Sequence, residues 1–111
     1  MISTVNSYEE FQEILQQEPA ALMYFSHEEC NVCKVLKPKV AELITEEFPK
    51  VKLFYVDIKE TPVISGQERI FTVPTIIVYL EGKEYIRKSR SIGLDELRRD
   101  IERPYQLLFE E

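Results

Sequence analysis

The sequence predicts an α/β fold in which a mixed central sheet of four to five strands is flanked by helices on both faces. Helical and strand-like segments alternate along most of the chain, and strands separated by helices pair in parallel through crossover connections. The last two strand-like segments are joined only by the short turn 81–83, so they must pair antiparallel. The length of 111 residues is typical of one domain, and we expect a single domain over residues 1–111.

The first half of the chain predicts a helix, a buried strand and a longer helix. Ser7 and Glu10 form an S-x-x-E pattern that opens an amphipathic helix, which Pro19 ends. The apolar stretch Ala20–Ser26 is too short for three helical turns and is typical of a strand buried on both faces. Apolar residues at helical spacing then predict a long helix over residues 31–47.

The second half predicts three more strands. Residues 51–57 are rich in β-branched and aromatic residues, as strands usually are. A short helix is expected over residues 61–69, although Gly66 weakens its pattern. Residues 74–80 predict an apolar strand. Residues 84–88, whose apolar and polar side chains alternate imperfectly, predict a strand at the edge of the sheet.

A terminal helix is predicted by apolar residues that repeat at steps of three and four, namely Leu94, Leu97, Ile101, Tyr105 and Leu108. Pro104 lies inside this pattern. We expect it to bend or end the helix, because proline lacks the N–H of a helical hydrogen bond and its ring clashes with the preceding turn.

Charge and composition exclude several functions. The formal net charge of −6 argues against a nucleic-acid partner, because binding to phosphates needs clustered Lys and Arg. No segment has the roughly 20 apolar residues of a membrane span, and the first residues lack the basic and apolar regions of a secretion signal. We therefore expect a cytoplasmic protein with no nucleic-acid partner and no membrane partner.

Cys30 and Cys33 are the only cysteines of the chain. A disulfide scaffold would spread more cysteines along the sequence, so the close pair indicates redox or metal chemistry. The pair stands where the strand that ends near Ser26 turns into the long helix, and a helix N-terminus stabilises an anion such as a Cys30 thiolate. Cys33 lies within disulfide reach, one turn into the helix, and is expected to be the more buried thiol.

Two prolines accompany the cysteines in a recognisable pattern. The first lies in the C-x-x-C-K-x-x-x-P run Cys30-Asn31-Val32-Cys33-Lys34-Val35-Leu36-Lys37-Pro38, and the second lies in Val73-Pro74-Thr75. With both features the chain resembles the thioredoxin family over nearly its whole length. The resemblance implies the thioredoxin fold, in which Pro38 lies within the long helix and Pro74 follows a cis peptide bond next to the cysteines.

The resemblance also implies a function, that of a thiol–disulfide oxidoreductase. Cys30 would attack a substrate disulfide as a thiolate, and Cys33 would resolve the mixed disulfide. Val73 and Pro74 would bind an extended substrate segment, with Val73 offering its backbone. The implied partners are protein disulfides and a reducing partner such as a thioredoxin reductase or a small thiol, and no cofactor is implied.

The chain also departs from the family pattern. Glu29 replaces the aromatic residue usual before the first cysteine, and Glu28 and Glu29 together oppose a thiolate. Tyr24 stands where many members have a buried acid, and the usual lysine companion of that acid corresponds to Leu53. The glycine expected near residues 89–90 is missing, so the substrate-facing groove is expected to differ.

Three alternatives stay open at the level of the sequence. The proton acceptor for Cys33 is Glu28, His27 or water. A zinc site needs four ligands, and Cys30, Cys33, His27 and Glu28 are the side chains available. The rigid start of a helix makes tetrahedral closure difficult, so we expect no metal. The departures also motivate a second function, a thioredoxin-like adaptor or redox-sensing binding module with little turnover.

Overall fold

A computed structural model describes residues 2–110, and it confirms the predicted α/β architecture. Within these residues the order of elements is β1 (Ile2–Thr4), α1 (Tyr8–Gln17), β2 (Ala20–Ser26), α2 (Asn31–Glu47), β3 (Lys52–Asp57), α3 (Pro62–Gln67), β4 (Thr75–Leu80), β5 (Lys83–Ser89) and α4 (Leu94–Phe109). The predicted ranges of β2 and α2 are reproduced to the residue, whereas α3 is shorter than predicted and β5 is longer.

The strands form one mixed sheet in the order β1-β3-β2-β4-β5. The pairs β1·β3 and β3·β2 are parallel, and the pairs β2·β4 and β4·β5 are antiparallel. The expectation that strands separated by helices run parallel is therefore wrong for β4, because the connection from β3 through α3 reverses the direction of the chain. β5 lies at an edge, which confirms that prediction. In the register of the central strand, Phe25 pairs with Thr75 and Ser26 pairs with Asp57. The end of β2, the end of β3 and the start of β4 therefore meet at one end of the sheet.

Helices cover both faces of the sheet because β2 divides its side chains between two hydrophobic clusters. Leu22 and Tyr24 belong to the cluster that also contains apolar residues of α2 and α4. Met23 and Phe25 point to the opposite face and join the cluster formed with α1 and α3. Every residue of β2 is buried, as the apolar run predicts.

The capping box of α1 forms in part. The backbone N–H of Glu10 donates to Ser7 Oγ at 3.1 Å, which satisfies one of the free N–H groups of the first turn. The Glu10 carboxylate accepts from the backbone N–H of Asn6 at 2.7 Å, one residue before the position of the usual box.

Pro104 does not end the terminal helix, so that part of the sequence prediction is wrong. α4 continues through Pro104 to Phe109. The ring of Tyr105 packs against Phe48 at 5.0 Å and against Phe109 at 4.9 Å between centroids. These aromatic contacts hold the last turns on the core and offset the hydrogen bond that proline cannot make. Among residues 2–110, no helix combines the length and the apolar character that crossing a bilayer requires.

Candidate active site

The two cysteines lie at the start of α2, directly after the central strand. Cys30 is the N-cap of the helix, with extended backbone angles, and Cys33 lies in the first turn. Their sulfur atoms are 2.09 Å apart and their Cα atoms 5.3 Å apart, so the pair forms a disulfide. The predicted disulfide reach is confirmed.

The environments of the two sulfurs differ. Cys33 is only 1% exposed, as predicted, whereas Cys30 is partly exposed. The backbone N–H of Cys33 donates to the Sγ atom of Cys30 at 3.1 Å, so this sulfur takes the place of an N-cap oxygen. After reduction, the same N–H and the helix dipole stabilise a thiolate on Cys30.

Val73 and Pro74 lie at the same end of the sheet as the cysteines. Thr75, the first residue of β4, pairs with Phe25 near the end of β2. Val73 and Cys30 are partly buried against the same hydrophobic cluster, which contains Cys33. The peptide bond between Val73 and Pro74 is cis, as the resemblance implies.

The backbone on either side of Pro74 is fixed by hydrogen bonds. The carbonyl oxygen of Pro74 accepts from the backbone N–H of Arg90 at 2.9 Å, and Thr75 Oγ1 donates to the carbonyl oxygen of Thr72 at 2.7 Å. By contrast, the backbone N–H and C=O of Val73 take part in none of the hydrogen bonds that join residues 2–110. Those two groups are therefore available to another chain.

Lys59 is a site residue that sequence analysis missed. Its ammonium group forms an ion pair with the carboxylate of Glu29, directly before the first cysteine. The hydrogen bond and the charge of Lys59 lower the pKa of Glu29 below its usual value. The carboxylate that sequence analysis expected to oppose a thiolate is thus partly neutralised. Only the fold brings the two residues together, because 30 positions separate them.

Tyr24 has a structural task beside the cysteines. Its hydroxyl donates to the backbone carbonyl of Cys33 at 2.8 Å. Burial, followed by the neighbouring Tyr55, raises the pKa of Tyr24 far above its usual range. The hydroxyl therefore stays protonated at neutral pH and is not the base that accepts the proton of Cys33.

Leu53, which corresponds to the usual lysine companion, is not the register partner of Tyr24. In the register of β2 and β3, Tyr24 pairs with Tyr55, and Leu53 pairs with Leu22. The two tyrosine rings stack at 6.5 Å between centroids. The ammonium group of Lys37 lies 4.0 Å from the centre of the Tyr55 ring. A cation therefore approaches this region from α2 and not from β3, and its spacing of four residues from Cys33 places both on one helix face.

A small cavity of about 240 Å³ reaches the buried cysteine. It is lined by Ser26, His27, Glu28, Cys33, Lys34, Lys37 and Tyr55. The cavity thus brings two of the proposed proton acceptors, His27 and Glu28, to the same space as Cys33. His27 Nδ1 already accepts a hydrogen bond from the backbone N–H of Glu29 at 3.2 Å.

The described part of the chain contains no cluster suited to a metal ion. Among residues 2–110, no three side chains of His, Cys, Asp or Glu lie close enough to share one ion. The residues at the start of α2 are arranged for exchange between sulfurs, with one sulfur accessible and the other behind it.

Comparisons with known proteins agree with this geometry. The family model described as Thioredoxin matches residues 2–103. The thioredoxin of Chlamydia trachomatis is 37% identical over 75 residues, covering 68% of this chain and 70% of the relative. The thioredoxin-like protein YdfQ of Bacillus subtilis is 24% identical over 103 residues, covering 93% of this chain and 91% of that protein. The oxidised form of mitochondrial thioredoxin 3 from Saccharomyces cerevisiae has a TM-score of 0.82 at 22% identity, covering 90% of this chain and 92% of that chain.

Proposed function

Because the chain belongs to the thioredoxin family and is a thiol–disulfide oxidoreductase, we propose that Cys30 is its nucleophile and Cys33 its resolving thiol. One observation carries this assignment. The two sulfurs are within bonding distance at the start of α2, and Cys30 is partly exposed whereas Cys33 is only 1% exposed. A substrate disulfide can therefore approach Cys30 first.

The proposed reaction transfers two electrons from the dithiol to the substrate. The Cys30 thiolate attacks one sulfur of a substrate disulfide, and the other substrate sulfur leaves as a thiolate and takes a proton. Cys33 then loses its proton, and its thiolate attacks the sulfur of Cys30. The second substrate sulfur leaves, and Cys30 and Cys33 are left as a disulfide. A reductant must restore the dithiol before the next turnover.

The proton of Cys33 leaves through the small cavity beside it. A buried thiol ionises poorly, so the resolving step needs an acceptor close by. Glu28 supplies a carboxylate to the lining of this cavity. His27 already uses Nδ1 to accept a hydrogen bond. We therefore favour Glu28, acting directly or through water, over His27 as the acceptor.

Val73 and Pro74 are the proposed substrate contacts. The unpartnered backbone groups of Val73 can pair with an extended segment on either side of the substrate cysteine, as in strand addition at a sheet edge. The partners proposed here are protein disulfides and a reducing partner such as a thioredoxin reductase or a small thiol. The proposed location is the cytoplasm, where reductants keep thiols reduced. We also propose that residues 1–111 act as one domain.

The test traps the intermediate. Cys33→Ser leaves the nucleophile but removes the thiol that resolves it, so this variant should accumulate mixed disulfides with substrate proteins. Cys30→Ser should accumulate none, since the remaining Cys33 is buried. The trapped species is measured by non-reducing electrophoresis and mass spectrometry. Mixed disulfides on Cys33 but not on Cys30 would reverse the assignment of the two roles.

The alternative of a binding module with little turnover is not favoured, because the cysteines are positioned for disulfide exchange and the family match covers most of the chain. The residues that motivated it have other roles in the structure. Tyr24 holds the backbone of Cys33, and Glu29 is paired with Lys59.

A further inference from the structure

An apolar groove leads away from the cysteine pair between α2 and the loop that follows β5. One wall is built by Val32, Val35, Leu36 and Lys39, and the other by Arg90, Ser91, Ile92 and Gly93. Its volume of about 580 Å³ lies within the range of pockets that hold small ligands or side chains. Val32 and Val35 are 66% and 60% exposed, so apolar surface is open to solvent here.

The groove is continuous with the substrate contacts proposed above. Val32 stands between the two cysteines, so one end of the groove begins at the C-x-x-C turn. On the other wall, the backbone N–H of Arg90 donates to the carbonyl oxygen of Pro74 at 2.9 Å. A peptide that pairs with Val73 and presents a sulfur to Cys30 can extend directly into this groove.

Both charged side chains that line the groove are cations, Lys39 and Arg90. Neither takes part in an ion pair with a carboxylate among residues 2–110, and both residues are exposed. Nearby Lys88, in contrast, is held by Glu96 and Asp100 at 2.9 and 2.8 Å. The groove is thus a locally positive surface on a chain with a net charge of −6.

The other side of the cysteine pair has a mixed charge, because Glu28 shares a cavity with Lys34 and Lys37. Glu28 and Glu29 directly precede Cys30, and only Glu29 is paired, with Lys59. In the groove, by contrast, the charged lining residues are both cations, so an acidic residue of a substrate is attracted there.

We propose that this groove selects substrate segments in which an apolar residue and then an acidic residue lie on one side of the disulfide-bonded cysteine. The apolar residue packs between Val35 and Ile92, and the acidic residue pairs with Lys39 and Arg90. This inference rests on the proposed function and narrows its substrate class. Arg90 has a positive φ of 65°, a conformation that favours glycine, and a long cationic side chain at this position is explained by the proposed contact.

The experiment compares two synthetic peptides, each with an intramolecular disulfide and an apolar residue next to one cysteine. The residue after that apolar residue is Asp in one peptide and Asn in the other, and the peptides are otherwise identical. The reduced protein is mixed with each peptide, and its rate of oxidation is followed in a single turnover. We expect the Asp peptide to react about fivefold faster at low salt, since two exposed ion pairs together contribute about that factor. The preference should shrink at high ionic strength, where surface charges are screened.

The double variant Lys39→Gln/Arg90→Gln should bring the ratio of the two rates close to one. Glutamine keeps most of the side-chain length and leaves the backbone constraint at residue 90 unchanged. Lys83→Gln is a control for a charge removed away from the groove, because Lys83 pairs with Leu80 at the other end of β4 and β5. This control removes one positive charge and should keep the ratio of the wild type.

A neutral small disulfide, hydroxyethyl disulfide, allows the proposed function and the groove assignment to be tested separately. Failure of every disulfide to oxidise the reduced protein would overturn the proposed function. Oxidation by all of them, with equal rates for the Asp and Asn peptides, would overturn only the groove assignment. The groove assignment would also be overturned if the rates of oxidation by the peptides fell as the protein concentration rose and sedimentation showed dimers. A second copy of the chain would then occupy the groove.

Discussion

At the scale of single residues, the tyrosine of β2 shows how one side chain can change the role of a position. A carboxylate at residue 24 would be a base beside Cys33, whereas the Tyr24 hydroxyl is a buried donor to the Cys33 carbonyl. It fixes the backbone that carries Cys33, and because it stays protonated it leaves the cavity that Cys33 shares with Glu28 as the proposed route for proton transfer.

Tyr24→Phe should lower the free energy of unfolding by about 1 kcal/mol, because it removes one buried hydrogen bond and keeps the packing of the ring. Denaturant unfolding of the oxidised protein measures the change. Tyr85→Phe makes the same chemical change on an exposed residue of β5 and should have little effect. Equal stability of Tyr24→Phe and the wild type would contradict the role given to the hydroxyl.

Some site residues could be predicted from the sequence and others could not. Cys30, Cys33 and Pro74 stand in a motif, and the motif carries their relative positions. Tyr55 could not be identified as the neighbour of Tyr24, because a sequence does not state the register between two strands. Lys59 was missed because its contact with Glu29 joins two loops that lie 30 positions apart in the chain.

At the scale of elements, local signals predicted the start of α1 but not the end of α4. The start of α1 was readable because the contact between Ser7 and Glu10 is local. The end of α4 was not, because the contacts that carry it past Pro104 join Tyr105 to Phe48, a residue far away in the chain. Tertiary packing overrides the local effect of proline at this position.

Ser7→Ala should destabilise the protein by about 1 kcal/mol, because the first turn of α1 loses the oxygen that accepts from Glu10 N–H. Ser7→Asp should retain most of the stability, since aspartate is an equally good N-cap and its charge suits the N-terminus of a helix. Thermal unfolding followed by circular dichroism compares the three proteins. Loss of stability in both variants would show that the hydroxyl acts in some other way.

At the scale of the whole molecule, the sequence predicted the layers and the directions of all strands but β4, which runs antiparallel to β2 although a helix precedes it. The order of the strands across the sheet was not predicted, because it depends on pairing between strands that are distant in the chain. The two hydrophobic clusters on the two faces of the sheet form the body of the protein. The disulfide lies at one end of this body and joins residues only three positions apart.

The reduced protein should therefore remain folded. A disulfide that closes so short a loop constrains the unfolded chain by about 2 kcal/mol, against a typical total stability of about 5–15 kcal/mol. Circular dichroism with and without excess dithiothreitol should give the same far-ultraviolet spectrum and a lower melting temperature in the reduced state. Unfolding on reduction at room temperature would contradict the conclusion that the hydrophobic clusters keep the protein folded without the disulfide.

Stability should fall at alkaline pH. Burial is the main cause that raises the pKa of Tyr24 and Tyr79, and also of Tyr55, in the folded protein. A group whose pKa is raised by folding contributes stability that is complete below its unfolded pKa, about 10 for tyrosine. That contribution is lost as the pH rises above this value.

Urea unfolding at pH values from 8 to 11 measures this loss. The free energy of unfolding of the wild type should be constant up to about pH 9 and should then decrease. Tyr79→Phe should lose less between pH 9 and 11, because it removes one of the buried groups that must ionise. An identical decrease in the free energy of unfolding of the variant and the wild type would show that Tyr79 does not contribute to the loss of stability at alkaline pH.

The stacked tyrosines beside the cysteines also provide an optical signal. The chain contains six tyrosines and no tryptophan, so its near-ultraviolet emission comes from tyrosine alone. Tyr24 contacts the backbone of Cys33 and stacks on Tyr55, and a disulfide quenches excited aromatic rings at such short range. Intrinsic fluorescence should therefore brighten when the disulfide is reduced, and the state of the pair can be followed in real time without a label.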